Sequence, residues 1–282
     1  MARPRHIGRS LRATCTGFMV AAGCAAGQVH DSTAFAAPPP SPLVSTMLTI
    51  AQTTHSDVVY DIGSDQAQLV VAAARYFGTR GVYVDPDTSG PALDGMEGIY
   101  DRIGIVSSGL FDADLSEATV IALWSIPASI SQLQEKIMAD LRPGARIVAQ
   151  SNILGSWEPD SQLFLDTSSV FLWTVPANVS GVWRWVPALD SQAIDLRIKQ
   201  SFQNVEMSID NRDSTLYVCE ADLKGDRLLF AVRAADGTTL AWYHGIVRGN
   251  SLKGLELIPD GARILWRANR DPTTMGTVVG AP

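Results

Sequence analysis

Hydrophobic and polar residues follow one pattern in the first part of the chain and another in the rest. Between residues 43 and 174, continuous apolar runs such as 119–124 alternate with segments whose apolar residues recur every three or four positions. Continuous runs bounded by turns are typical of strands buried on both faces, and the longer spacing is typical of amphipathic helices. The pattern therefore predicts an α/β domain over residues 43–174.

From residue 177 onward, apolar residues alternate with polar ones. Ile194, Leu196 and Ile198 are an example, and a turn such as Lys224-Gly-Asp226 separates two further runs. A period of two residues interrupted by glycine turns is typical of antiparallel strands. We therefore predict a small antiparallel β-sandwich or barrel over residues 177–270, followed by a flexible tail over residues 271–282.

Residues 57–71 predict a strand, a tight turn and a helix in direct succession. The strand ends at Asp61 and Gly63, and a second strand at residues 81–85 ends in Asp85. Ligands of open α/β sheets bind outside the carboxyl ends of the strands, where a carboxylate can accept hydrogen bonds from both hydroxyls of a ribose. This layout is typical of a nucleoside-binding site.

The stretch Asp61-Ile-Gly-Ser-Asp-Gln-Ala67 resembles the first motif of the class I S-adenosyl-L-methionine (SAM)-dependent methyltransferases, Asp-x-Gly-x-Gly-x-Gly. The chain looks most like a bacterial exported branch of that family, and the likeness extends over about residues 40–270. It rests further on residues 40–42, 47–51, 112–120, 141–148 and 155–160. The resemblance implies a Rossmann-like sheet with helices on both faces and a C-terminal β domain.

The same resemblance implies which residues would bind SAM. Asp85 would accept hydrogen bonds from the ribose, Asp61 would orient the amino group of the ligand, Gly63 would let the backbone approach it, and Ser64 completes the set. A turn-capping Asp61 and a solvated Asp85 are the alternatives. No catalytic residue is predicted, because methyl transfer from a sulfonium mainly requires alignment. The methyl acceptor, a small molecule or a protein, stays open.

Three consecutive residues depart from the family motif. Asp65, Gln66 and Ala67 stand where the family has Gly-Asp-Gly, and a positive φ costs a non-glycine residue about 1–2 kcal/mol. Gly109 stands where the family has an acid that contacts the adenine amino group. We therefore predict a degenerate loop whose SAM binding is weakened or lost. Two functions remain open, a SAM-dependent methyltransferase and a non-catalytic binding or scaffold protein with the same fold.

The first 36 residues have the features of a signal peptide. Four arginines precede a short run of small, mostly apolar residues, and Ala34-Phe-Ala36 offers a cleavage site. Residues 37–42 are then an extended, proline-rich linker. This predicts a periplasmic or secreted protein, either soluble or anchored as a lipoprotein through Cys24. The alternative is a cytoplasmic protein whose start codon is misassigned.

The composition of the chain argues against several kinds of binding partner. The 282 residues carry a net charge of −7 and show no basic stripe, which argues against nucleic-acid binding. Cys219 is the only cysteine beyond the leader and has no metal-ligand spacing, so no metal is predicted. The apolar run of the leader is too short to span a membrane, and no transmembrane span is predicted in the mature chain.

Overall fold

The computed structural model describes residues 39–64, 66–86, 96–124, 129–151, 154–166, 168–187, 193–210 and 216–278. The predicted signal peptide and Asp65 lie outside these residues. Helices and strands follow in the order α1 (Pro42–Ile50), β1 (Val58–Ile62), α2 (Gln68–Ala72), β2 (Arg80–Val84), β3 (Ile103–Val106), β4 (Val120–Leu123), α3 (Ile130–Asp140), β5 (Arg146–Gln150), β6 (Ser161–Leu165), β7 (Ser168–Thr174), β8 (Gly181–Val186), β9 (Ile194–Ser201), β10 (Asn204–Asp210), β11 (Leu216–Lys224), β12 (Arg227–Ala234), β13 (Thr239–Arg248), β14 (Ser251–Leu257) and β15 (Arg263–Arg270).

The first seven strands form one mixed sheet in the order β3-β2-β1-β4-β5-β7-β6. Strands β1 to β5 run parallel to one another, whereas β7 runs antiparallel to both β5 and β6. Every residue of the central strands β1 and β4 is buried, which explains their continuous apolar runs. The predicted Rossmann-like sheet is confirmed.

Helices cover both faces of this sheet, as predicted. Helices α1 and α2 pack on the face that carries Val59 and Val148. Helix α3 packs on the opposite face, where its Leu133 contacts the core that contains Ile121 and Ile147. Neighbouring residues of a strand point to opposite faces, so the central strands need apolar residues at every position.

The other eight strands form an antiparallel sheet in the order β10-β9-β8-β15-β14-β13-β12-β11. Its two edge strands, β10 and β11, lie close to each other, so that the sheet is a nearly closed barrel. The predicted antiparallel β domain is thereby confirmed as a barrel. Its core is aromatic, and Trp185, Phe230, Tyr243 and Trp266 pack ring against ring with neighbouring centroids 4.8–6.1 Å apart.

The barrel packs directly on the mixed sheet. Phe202, in the turn between β9 and β10, stacks on Trp157 with ring centroids 5.2 Å apart, and both rings belong to the core of the mixed sheet. Gly225, in the turn between β11 and β12, has a φ of +58°, and a Cβ added there would lie 3.0 Å from the Cα of Gly144. The residues from Pro39 to Pro282 accordingly form one compact unit.

Residues 271–278, which the sequence assigns to a flexible tail, form hydrogen bonds to the barrel. The N–H of Asp271 donates to the carbonyl of Val182, and the N–H of Phe202 donates to the carbonyl of Val278, each at 2.8–2.9 Å. The side chain of Asn178 donates to the carbonyl of Gly276 at 2.9 Å. Residues 271–278 are therefore held against the barrel by hydrogen bonds.

None of the helices in the described ranges combines the length and the apolar character that crossing a membrane requires.

Candidate functional site

The order of the mixed sheet reverses between β1 and β4. From β1 the chain continues to β2 and β3 on one side, whereas β4 and β5 lie on the other side. In open α/β sheets, ligands bind in the crevice outside the carboxyl ends of the strands at such a reversal. Asp61 and Gly63 stand at that end of β1, Asp85 follows β2, and Trp124 follows β4. The predicted site residues thus share one edge of the sheet.

Asp61 is completely buried and holds the neighbouring elements in place. One carboxylate oxygen accepts hydrogen bonds from the N–H groups of Leu69 and Val70, at 3.0 and 3.2 Å, in the first turn of α2. The other oxygen accepts a hydrogen bond from the indole N–H of Trp124 at 2.6 Å. Its carboxylate therefore caps the helix and connects β1 to β4 across the reversal of the strand order.

Burial also changes the acidity of this carboxyl group. It raises the pKa of Asp61 from 3.8 to about 6, and hydrogen bonds from its neighbours oppose the shift without cancelling it. Asp61 is therefore ionised at neutral pH. An ionised carboxylate at the carboxyl end of β1 attracts positively charged groups in the crevice.

Tyr83 connects Asp85 to the turn after β1. Its buried hydroxyl lies 2.6 Å from a carboxylate oxygen of Asp85 and 2.6 Å from the carbonyl oxygen of Ser64. The carboxyl group of Asp85 is half-buried, and Ser64 is buried. One tyrosine hydroxyl thus fixes the orientation of Asp85 relative to the turn that contains Gly63 and Ser64.

Two residues of the turn after β1, Gly63 and Ala67, have positive φ angles, although only one of them is a glycine. Gly63 has a φ of +77° and is exposed. Ala67 has a φ of +51° and a ψ of +27°, and its side chain is completely buried. A non-glycine residue in this left-handed region costs about 1–2 kcal/mol. The backbone therefore adopts at Ala67 the kind of conformation for which the family motif has glycine.

The position of Gly109 has room for a side chain. Gly109 follows β3, and a Cβ added there would have a carboxylate oxygen of Asp112 as its nearest neighbour, at 3.6 Å. An aspartate at position 109 would therefore fit sterically, although it would stand beside a second carboxylate.

Trp124 and Tyr83 are the two side chains at this edge that the sequence analysis did not single out. Tyr83 and Asp85 are two residues apart along a strand, and side chains at that spacing point to the same face. This spacing could have indicated their contact. Trp124 directly follows an apolar strand, and its contact with Asp61 depends on β4 lying next to β1, which follows only from the order of the sheet.

The described residues contain no group of three or more His, Cys, Asp or Glu side chains that could hold a metal ion. The open turn at Gly63 and the half-buried carboxylate of Asp85 fit an organic ligand with hydroxyl groups. Backbone N–H groups and carboxylates are the donors and acceptors that a nucleoside requires.

Similar proteins were found by comparison of sequences. A protein-lysine N-methyltransferase of Saccharolobus islandicus (strain REY15A) is 32% identical over 127 residues, which cover 43% of this chain and 79% of that protein. A lysine N-methyltransferase of Xenopus laevis, named for a component of ATP synthase, is 26% identical over 110 residues, which cover 38% of this chain and 49% of that protein. No family model matches the chain.

Comparison of structures found a crystal structure of an RNA methyltransferase from Salinibacter ruber in complex with S-adenosyl-L-homocysteine. It covers 49% of this chain and 92% of its own, with 34% sequence identity and a TM-score of 0.45. The C-terminal domain of precorrin-6Y C5,15-methyltransferase from Rhodobacter capsulatus covers 47% of this chain, with 16% identity and a TM-score of 0.37.

Proposed function

The chain belongs to the class I SAM-dependent methyltransferases, and on that premise we propose that it binds SAM at the carboxyl ends of β1 and β2 and methylates a lysine side chain of a protein. The lysine acceptor rests on the two lysine methyltransferases to which the chain is similar. We also propose export to the periplasm, supported by the arginine-rich start and Ala34-Phe-Ala36. N-terminal sequencing of protein from the cell envelope checks the export.

The observation that carries the proposal is the placement of Asp61 and Asp85 at the reversal of the strand order. Asp85, fixed by Tyr83, is the acceptor for the ribose hydroxyls. Asp61 is ionised at neutral pH and supplies a negative charge for the ammonium group of the ligand. Its oxygens accept from the first turn of α2 and from Trp124, so its effect on the ligand is electrostatic or passes through water.

Methyl transfer requires little of the protein beyond alignment of the acceptor amine with the methyl group. Bound SAM would supply a methyl group on a positively charged sulfur. The lysine ammonium would first lose a proton to water, and the lone pair of the neutral amine would then form the new N–C bond while the sulfur departs as a neutral thioether. The methylated amine would carry the positive charge. Among the residues of the chain, Asp61, Asp85 and the turn at Gly63 hold the ligand, and none has to exchange a proton with it.

We expect SAM binding to depend on the Asp85–Tyr83 contact. Asp85→Ala removes the charged acceptor of two hydroxyl groups and should weaken binding by about 10- to 100-fold, since a hydrogen bond to a charged group contributes about 1.5–3 kcal/mol. Tyr83→Phe keeps the ring but removes the hydroxyl that contacts Asp85, and it should weaken binding by about fivefold. Calorimetric titration with SAM measures both dissociation constants. Tyr217→Phe, which removes an exposed hydroxyl from the barrel, is the matched control.

The same titration tests the three residues after β1 that depart from the family motif. Replacing Asp65→Gly, Gln66→Asp and Ala67→Gly together should strengthen binding by about tenfold, because the left-handed backbone at Ala67 no longer carries a side chain. The loss of a buried methyl group at position 67 lowers the stability of the fold by about 0.8 kcal/mol. Absence of binding by the unaltered and the repaired protein, both folded, would instead favour a scaffold protein without a cofactor.

Transfer itself is tested with labelled SAM. We expect label to appear on proteins of the envelope fraction, and mass spectrometry to locate 14-Da increments on lysine residues, 14 Da being roughly the mass of a methylene group added per transfer. Asp85→Ala should remove most of the label, because transfer requires the bound cofactor. Label on small molecules with none on protein would contradict the lysine acceptor and leave SAM binding intact.

A further inference from the structure

Four cations lie in one row across the outer face of the barrel. Cross-strand pairing places Lys224 opposite Arg227, Arg227 opposite Ile246, Ile246 opposite Lys253 and Lys253 opposite Arg267. All four cationic residues are exposed. The row therefore runs over β11 to β15 and concentrates positive charge on a chain whose net charge is −7.

This row contains two like-charge pairs. Lys224 stands directly opposite Arg227, and Lys253 directly opposite Arg267, an arrangement that destabilises a sheet. Seven ion pairs join described residues elsewhere, and none of them includes these four cations. The barrel thus carries a repulsion that no ion pair among its described residues relieves and that an anionic partner would relieve.

The next row on the same outer face is mainly aliphatic. Leu229 pairs with His244, His244 with Leu255, and Leu255 with Leu265. Leu265 is 80% exposed, and Leu255 and Ile246 are exposed as well. Asp222 at the end of this row is its acidic member. Exposed aliphatic side chains therefore lie beside the row of cations.

A groove of about 500 Å³ lies between the two rows. Its lining includes the aliphatic side chains of Leu229, Ile246 and Leu255, the cations Lys224 and Arg227, and the polar side chains of Asp222 and His244. A mainly apolar groove with two cations in its lining accepts a partner that has both an apolar and an anionic part.

We propose that this face, formed by the cation row, the aliphatic row and the groove, docks on the surface of an anionic phospholipid bilayer. The cations contact the headgroups, and Leu255 and Leu265 insert at the boundary with the acyl chains. The imidazole of His244 is the one aromatic ring in the two rows, which contain no exposed Phe, Tyr or Trp on which a nucleic-acid base could stack, and the leucines have no role against a polyanion. The combination therefore favours a lipid surface over RNA.

The test is co-sedimentation of the full-length chain with vesicles of phosphatidylcholine alone or mixed with phosphatidylserine. We expect binding to the mixed vesicles only, falling as salt is added. Lys253→Gln combined with Arg267→Gln should lower the partition coefficient about 25-fold, because each cation near an anionic surface contributes about fivefold. Leu265→Ala should lower it about tenfold, and its exposed position leaves the fold intact.

A matched control removes two cations from β9. This strand is four places from β13 in the strand order, on the other side of the nearly closed barrel. Arg197→Gln combined with Lys199→Gln, both exposed on β9, should leave vesicle binding unchanged. All variants share the same arginine-rich leader, so that differences between them come from the barrel. Equal binding to neutral and anionic vesicles, no binding to either, or an equal loss in the control would overturn the proposal. Binding of RNA or an acidic polypeptide that persists in Leu265→Ala, without vesicle binding, would overturn it in favour of a polyanion.

Discussion

Replacing Trp157 by alanine is expected to destabilise the folded chain by about 3–5 kcal/mol, the range for truncating a large buried aromatic side chain. Trp157 is 1% exposed, and it stacks in parallel on Phe202 of the barrel. Its backbone carbonyl also accepts a hydrogen bond from the indole of Trp173 at 2.8 Å. Urea unfolding followed by far-UV circular dichroism measures the change in the free energy of unfolding.

Two further variants separate the contact from the loss of volume. Phe164→Ala removes a ring that is 78% exposed on β6 and should change stability by less than about 0.5 kcal/mol. A double-mutant cycle of Trp157→Ala with Phe202→Ala should give a coupling of about 0.5–1.5 kcal/mol, as expected for stacked aromatic rings. A loss below about 1 kcal/mol in Trp157→Ala would show that the barrel and the mixed sheet do not depend on this contact.

Asp61 is expected to make the protein less stable as the pH rises from about 4 to about 6. The folded state raises its pKa from 3.8 to about 6, so in this interval the folded chain holds a proton that the unfolded chain has released. The stabilisation is complete below pH 3.8 and is lost as the pH rises through the folded pKa. A shift of about two units corresponds to about 3 kcal/mol, as an order of magnitude.

The measurement compares urea unfolding of the unaltered protein and of Asp61→Asn at several pH values. Subtracting the two profiles should leave a downward slope between about pH 4 and pH 6, because the asparagine does not titrate. The carboxyl group of Asp57 makes stability depend on pH in the opposite direction, and at a lower pH. Burial raises its pKa, but hydrogen bonds from Thr119 and Thr54 and the charge of Arg146 lower it further than burial raises it. A flat difference profile would mean that Asp61 is solvated in the folded state.

The sequence predicted the elements of the mixed sheet because their patterns are local. The apolar runs of β1 and β4 reflect burial on both faces. The β domain was also predicted from its period of two residues. The sequence did not decide between a barrel and a sandwich. Closure into a barrel depends on the approach of β10 to β11 and not on either strand alone.

The sequence predicted the residues of the candidate site but not the hydrogen bonds that hold them. Asp61, Gly63, Ser64 and Asp85 lie at one edge of the sheet, as the resemblance implies, and their binding of SAM stays a prediction. The two side chains that hold them, Tyr83 and Trp124, come from neighbouring strands. Their hydrogen bonds arise from the order of strands in space, which no pattern along one strand encodes.

The two sheets differ in how far apart along the chain their paired strands lie. In the barrel, nearly every strand pairs with its neighbour in sequence, and only β8 and β15 pair over a long distance along the chain. In the mixed sheet, β1 must pair with β4, and the hydrogen bond from Val58 to Thr119 spans 61 residues. Local hairpins form faster than distant parallel strands. We therefore expect the hairpins of the barrel to form ahead of the pairing of β1 with β4.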